Sequence, residues 1–211
     1  VMWRMDPSLG SILLAKTVPA LGGDTLFADM VAAYQGLSDE LKTKINGLMA
    51  INSGSANGSK EKARQRLEQE GSSAEELDAF DQKYAHVPMP VHPVVRSHPD
   101  TGEPAIYVNR AFTRQIADME KQESDKLLEL LWAQAAVPEY QCRFKWAPGS
   151  VAFWDNRAAQ HYASSDYWPE RREMDRVTIS GERPYYTRDN GEKLTSYAAD
   201  QALLTELGMP T

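Results

Sequence analysis

The chain contains one cysteine, Cys142, and four histidines. It has no run of apolar residues approaching the roughly 18 needed to cross a bilayer as a helix. A single cysteine excludes an intrachain disulfide and a cysteine-based zinc centre. Cys142 itself reads as a small core residue in a strand. Basic residues are in the minority, 23 Lys and Arg against 30 Asp and Glu for a net charge of −7, so nucleic acid is not an expected partner. No signal peptide is legible, and a cytoplasmic protein without membrane attachment is the expectation. The sequence opens Val-Met-Trp-Arg, without an initiator Met and already in an apolar, strand-like pattern. It reads as a chain cut within a domain.

What is present suits one domain spanning residues 1–211, with a hydrophobic content of 42% that can fill a sizeable core. "SILLAKTVP" and "TLFAD" are rich in strand formers and flank a Gly22-Gly23 turn. Residues 30–48 carry helical spacing, with Ser38 a helix N-cap for the second half. Residues 53–85 are polar and punctuated by Gly and Ser; they read as a mobile loop with two short helices, either a solvated face or a lid-like insertion. Two strands are expected around the "PDTG" turn at 99–102. An amphipathic helix is expected from about Ser124, then strands at "QCRFKW", "SVAFWDN" and "REMDRVTISGE", and a short helix near 196–207. Short strands with inserted helices, and no βαβ period, predict a mainly antiparallel sandwich or jelly roll.

The stretch from Trp154 to Arg176, "WDNRAAQHYASSDYWPERREMDR", concentrates the chemistry. His161 follows an apolar strand and is either a satisfied structural residue or one arm of a metal site. A non-haem iron centre needs two histidines and a carboxylate. Arg172 and Arg176 lie four residues apart, so on a strand they share a face. They are either salt-bridged surface residues or an anion-binding pair, because guanidinium forks suit carboxylate and sulfonate. Arg171 points the other way and reads as solvated. His86 and His92 flank proline-rich strand starts and read as structural.

"WDNRAAQHY" followed by the arginine pair resembles the C-terminal signature of the TauD/TfdA family of Fe(II)- and 2-oxoglutarate-dependent dioxygenases. "GGDTLFAD", "HPVVRSHPDTGEPAIYVNRAFT" and "RVTISGERPYY" extend the resemblance over nearly all of residues 1–187. The resemblance implies a double-stranded β-helix, incomplete here at the N-terminus. It implies that His161 is the distal iron ligand and a catalytic residue, and that Arg172 and Thr25 bind the C5 carboxylate of 2-oxoglutarate. It further implies that Arg176, the Val1 backbone N–H and Phe112 hold the substrate. The implied reaction uses O₂ and Fe(II) to hydroxylate a small anionic organic substrate (a sulfonate, sulfate ester or carboxylate), with succinate and CO₂ as co-products. A homo-oligomer is usual in the family.

The family's iron site also needs a His-x-Asp or His-x-Glu arm, whose acidic residue the resemblance places immediately before Val1. His98-Pro99-Asp100 fits that pattern literally, but its sequel Thr101-Gly102 makes it a turn. The expectation is a longer chain that carries the arm. The alternative is a non-catalytic protein that keeps the anion pocket.

Overall fold

The computed structural model describes residues 2–54, 59–85 and 89–206. In chain order the elements are β1 (Gly10–Thr17), β2 (Thr25–Asp29), α1 (Met30–Gln35), α2 (Asp39–Ile45), β3 (Met49–Asn52), α3 (Ser59–Gln69) and α4 (Ala74–Ala85). There follow β4 (Pro90–Pro93), β5 (Val95–Ser97), β6 (Pro104–Ile106), β7 (Thr113–Ile116), α5 (Lys121–Gln134), β8 (Gln141–Phe144), β9 (Val151–Asp155), β10 (Ala159–Ala163) and β11 (Glu173–Ile179). The tail holds β12 (Tyr185–Thr187), β13 (Lys193–Thr195), β14 (Tyr197–Ala198) and α6 (Gln201–Glu206).

Two three-stranded antiparallel sheets frame the site, in the orders β11-β1-β9 and β10-β2-β8. Strand alternation decides which residues meet between them. Ala15, Ala152 and Trp154 from the first sheet pack with Phe27, Phe144, Trp146 and Ala159 from the second and its flanks. This is the jelly-roll arrangement expected of the sequence, with sheets that do not close. The opposite face of β11-β1-β9 is also apolar: Leu14, Val151, Phe153 and Val177 are all exposed there. A second core lies where α1, α2 and α5 pack over β3, β5 and β6, around Met30, Ile45, Ile106 and Leu128.

Local signals explain most element boundaries. The Asp29 carboxylate accepts from the Val31 and Ala32 amides and caps α1, and the Ser38 hydroxyl caps α2. Between these helices Gly36 lies under Tyr140; an added Cβ would fall 1.8 Å from the Tyr140 hydroxyl.

Several expectations need correcting. Helix α5 begins at Lys121, not near Ser124; Ser124 is buried inside it, and its hydroxyl accepts from the Ile116 amide at 2.8 Å. Cys142 is in a strand, as expected, but it is exposed rather than in the core, because β8 is an edge strand. Two strands, β5 and β6, pair across the 99–102 turn as expected, and a further short strand, β4, precedes them and pairs with β3 and β14. Strand β10, which carries His161, escaped the sequence pattern: "AQHYA" has no β-branched residue, and pairing with β2 makes it a strand. Strands β3, β7 and β12 to β14 were missed for a similar reason, being only two to four residues long. The helices α3 and α4 fall where two were expected. Val1 and His86 lie outside the described residues.

Candidate active site

His161 sits mid-strand on β10, opposite Phe27 of β2. Its ring lies 4.9 Å from that of Trp154 and 6.2 Å from that of Phe27, and these two aromatic rings are 5.2 Å apart. The aromatic pair covers one side of the imidazole and leaves the rest open. Burial against these rings, reinforced by the nearby Arg176 charge, pushes the His161 pKa down to about 4. The imidazole is therefore neutral at pH 7, the form that binds a metal.

The β9–β10 connection holds this strand in place. The Arg157 guanidinium grips the Asp155 carboxylate through Nε and Nη2 at 2.7–3.0 Å, and the Arg157 amide donates to it at 2.7 Å. His98 Nε2 reaches the same carboxylate at 3.1 Å. Burial pushes the Asp155 carboxyl up, but the bonds from Arg157 and His98 outweigh it and hold the group down at about 2. His98 Nδ1 accepts from the Asp100 and Thr101 amides of the turn, which fixes the proton on Nε2. His98-Pro99-Asp100 is thus a structural turn.

Arg172 and Arg176 occupy different surroundings. Arg176 is on β11, over the Trp154 ring at 5.8 Å, and its Nη2 donates to the Ser11 hydroxyl at 2.9 Å. Ser11 is fully buried and also takes a hydrogen bond from Asn156 Nδ2 at 3.0 Å. Arg172 lies just before β11. Its Nε donates to the Gly23 carbonyl at 3.0 Å, and its charge lies 5.8 Å from the Trp146 ring. Its Nη2 is buried and has no hydrogen-bond partner among the described residues. An orphaned buried donor is uncommon and costly. Gly23 has φ +72°, and a Cβ there would press on Arg172 Cδ at 3.1 Å. The "GGDT" turn is therefore what lets Arg172 lie flat against the backbone. Thr25 is buried, and its hydroxyl accepts from Trp146 Nε1 at 3.0 Å. Arg171 is exposed and paired with Glu173.

A cavity of about 290 Å³ brings His161, Arg176 and Phe112 together, with Tyr107, Met30 and Asn156 in its wall. Phe112 is held there by its carbonyl, which accepts from the Ser53 amide at 2.9 Å. Thr25 and Arg172 do not line this cavity; they form a separate pair around Trp146. A larger, more open groove of about 690 Å³, lined in part by Asp29, His98, Cys142 and Asp155, contains none of the expected site residues. Asp29 and Asp155 there are already engaged, in capping α1 and in binding Arg157. The sequence reading missed Trp146 and Ser11. A tryptophan two residues past a strand facing "GGDT" was the available hint for the first; Ser11 carried none.

A model of the family described as "Taurine catabolism dioxygenase TauD, TfdA family" matches residues 1–178. The chain belongs to the TauD/TfdA family. An alpha-ketoglutarate-dependent sulfonate dioxygenase of Saccharomyces cerevisiae is 37% identical over 87% of this chain and 42% of its own length. An alpha-ketoglutarate-dependent sulfate ester dioxygenase of Pseudomonas putida is 35% identical, over 82% of this chain and 56% of its own. The crystal structure of a taurine dioxygenase from Burkholderia xenovorans aligns with a TM-score of 0.73 at 33% identity, covering 96% of this chain and 61% of that one. The chain thus spans about half the length of the two curated relatives. Membership of the TauD/TfdA family accounts for the jelly-roll arrangement of the two sheets.

Among the described residues, no group of three or more His, Cys, Asp or Glu could hold a metal ion. These residues offer an iron centre one neutral imidazole, His161. By contrast, the orphaned Arg172 Nη2 is a donor that a carboxylate satisfies, and the Trp146 ring near it also holds the Thr25 hydroxyl. No helix among the described residues is long and apolar enough to cross a membrane.

Proposed function

We propose that this chain serves an Fe(II)- and 2-oxoglutarate-dependent dioxygenase reaction, in which O₂ is used to hydroxylate a small anionic organic substrate. The observation that carries the reading is the buried, unpartnered Nη2 of Arg172, a side chain that shares the Trp146 indole with Thr25. A carboxylate placed there completes the guanidinium's hydrogen bonding and neutralises its charge. Arg172 and Thr25 then hold the distal carboxylate of 2-oxoglutarate. Arg176, aimed by Ser11, holds the anionic group of the substrate. Phe112 and Tyr107 give the substrate an apolar wall in the same cavity. His161 is one ligand to iron, kept neutral by Trp154 and Phe27. The bound metal would supply O₂ activation coupled to conversion of 2-oxoglutarate to succinate and CO₂. The chain's own task is to place the target carbon and to keep water away from it. Relatives that act on a sulfonate or a sulfate ester support a substrate of that charge class.

The test is succinate release from 2-oxoglutarate with Fe(II), measured with a panel of alkyl sulfonates, sulfate esters and aryloxyalkanoates. At least one member is expected to raise succinate formation roughly tenfold above the substrate-free rate, a little over 1 kcal/mol in barrier. Succinate at the metal-free background with every member of the panel refutes the catalytic reading.

A further inference from the structure

We infer that Trp146 is a positioning residue that sets the Thr25–Arg172 pair to receive the distal carboxylate of a 2-oxo dicarboxylic acid. The inference rests on the function proposed above and adds a third residue to it.

Three observations on different atoms converge. The Trp146 indole N–H donates to the Thr25 hydroxyl oxygen at 3.0 Å, and both side chains are buried. A threonine hydroxyl has one proton to give. With its oxygen already accepting from Trp146, the hydroxyl is biased toward donating its own proton elsewhere. Among the described residues no acceptor for that proton is found, so it is available to an anion. The Trp146 ring also lies 5.8 Å from the Arg172 guanidinium carbon, near enough for the ring's face to favour the cation. Arg172 itself is anchored through Nε to the Gly23 carbonyl, while its buried Nη2 remains unpartnered. One side chain thus orients a donor on Thr25 and backs the donor on Arg172. Both are groups that a carboxylate accepts from. Phe144, edge-on to Trp146 at 4.7 Å, fixes the indole in turn. Thr25 and Phe144 are cross-strand partners, so the tryptophan two residues beyond Phe144 is delivered to the threonine by sheet register.

This role predicts a selective effect. Trp146→Phe keeps an aromatic face beside Arg172 and the contact with Phe144 but removes the N–H. The protein is loaded with Mn(II), which avoids turnover. It is then titrated calorimetrically with 2-oxoglutarate and, separately, with 2-oxobutyrate, which lacks the distal carboxylate. The variant is expected to bind 2-oxoglutarate about fivefold more weakly, about 1 kcal/mol, with 2-oxobutyrate affinity unchanged. An equal loss for both acids would mean a merely structural role, and an unchanged ratio of affinities overturns the inference. Arg172→Met in the same titration separates this from the parent reading. If Arg172→Met abolishes the preference for the dicarboxylate and Trp146→Phe leaves it intact, only the inference about Trp146 fails. If neither changes the preference, the assignment of the anion site fails as well. Should Trp146→Phe not fold, the indole ¹⁵N–¹H signal of Trp146 in the unmodified protein gives a second reading. It is expected to move on addition of 2-oxoglutarate and not of 2-oxobutyrate; the same displacement with both acids overturns the inference.

Discussion

Replacing Arg172 with Met should separate binding from stability, and the sizes follow from its surroundings. In the unliganded protein the guanidinium makes one charged hydrogen bond, Nε to the Gly23 carbonyl, and leaves Nη2 buried without a partner. The bond contributes about 1.5–3 kcal/mol and the orphaned donor costs about 1–3 kcal/mol. The two nearly cancel, so Arg172→Met should move the unliganded Tm by no more than about 3 °C. Binding behaves differently. Removing one partner of a buried, hydrogen-bonded charge pair costs about 2–5 kcal/mol. Arg172 is only half-buried, so a value in the lower part of that range applies, about 2.7 kcal/mol or roughly 100-fold in Kd. With Mn(II) present, 2-oxoglutarate at about 100 times the unmodified protein's Kd stabilises that protein by about 2.7 kcal/mol. For a domain of this size that raises Tm by about 5–10 °C. At the same concentration the variant gains only about 0.4 kcal/mol, a rise of about 1–2 °C. Differential scanning calorimetry with and without ligand reads both quantities. A variant that keeps the full ligand-induced rise shows that Arg172 does not hold the carboxylate. A variant whose unliganded Tm collapses by more than about 10 °C shows that the arginine is a structural tie instead.

Two further outcomes follow from the same geometry. Ser11→Ala removes the acceptor for Arg176 Nη2 and Asn156 Nδ2; it should raise KM for the best-accepted anionic substrate about five- to tenfold with little change in kcat, and a fall in kcat at constant KM would place Arg176 outside the substrate site. His92 is fully buried, with Nε2 against the Met2 and Arg4 carbonyls at 2.8 and 3.0 Å, and burial holds its pKa down at about 4 against an ordinary 6.5. The unfolded chain therefore takes up the proton first as pH falls, so this histidine's contribution is complete above about pH 6.5 and is lost toward pH 4, by at most about 3 kcal/mol. Urea unfolding from pH 7.5 to 4 should show that loss diminished in His92→Gln, and an identical pH dependence in the two proteins would count against it.

The sequence made the outline of the fold legible because its longer strands carry strong local signals. Strands β1, β2, β9 and β11 are dense in β-branched and aromatic residues and stand beside Gly or Pro punctuation. The capping residue Ser38 marked α2 for a reason visible in its own hydroxyl. What stayed hidden depends on distant partners. β10 has no intrinsic strand preference and exists because β2 offers it a register. Ser124 resembles an N-cap, yet its hydroxyl serves Ile116 in a neighbouring strand. Cys142 looked like a core residue because sequence cannot say which strand lies at a sheet edge. In the site, the spacing of the arginine pair was readable, but a shared strand face was not realised: only Arg176 is on β11, and Arg172 precedes it next to a register shift, where strand alternation no longer sets its direction. The residues that aim them, Ser11 at a separation of 165 positions and Gly23 at 149, were not readable.

That spacing also concealed a physical difference between the two arginines. Arg176 is exposed and already has the Ser11 hydroxyl as an acceptor. An anion there competes with water, and salt screens its attraction. Arg172 presents a buried donor that water does not reach, and it shares Trp146 with a threonine whose oxygen already accepts a hydrogen bond. In such a setting a missing hydrogen-bond partner costs more than it does at the surface. That donor should therefore discriminate sharply for a carboxylate at one fixed distance, as the co-substrate role proposed for it requires. The open site should accept anions that differ in shape, and its selectivity must come mainly from the apolar wall around Phe112 and Tyr107. In the function proposed, two arginines four residues apart thus divide the labour, one on β11 and one just before it, and burial rather than sequence spacing decides which takes the co-substrate's carboxylate.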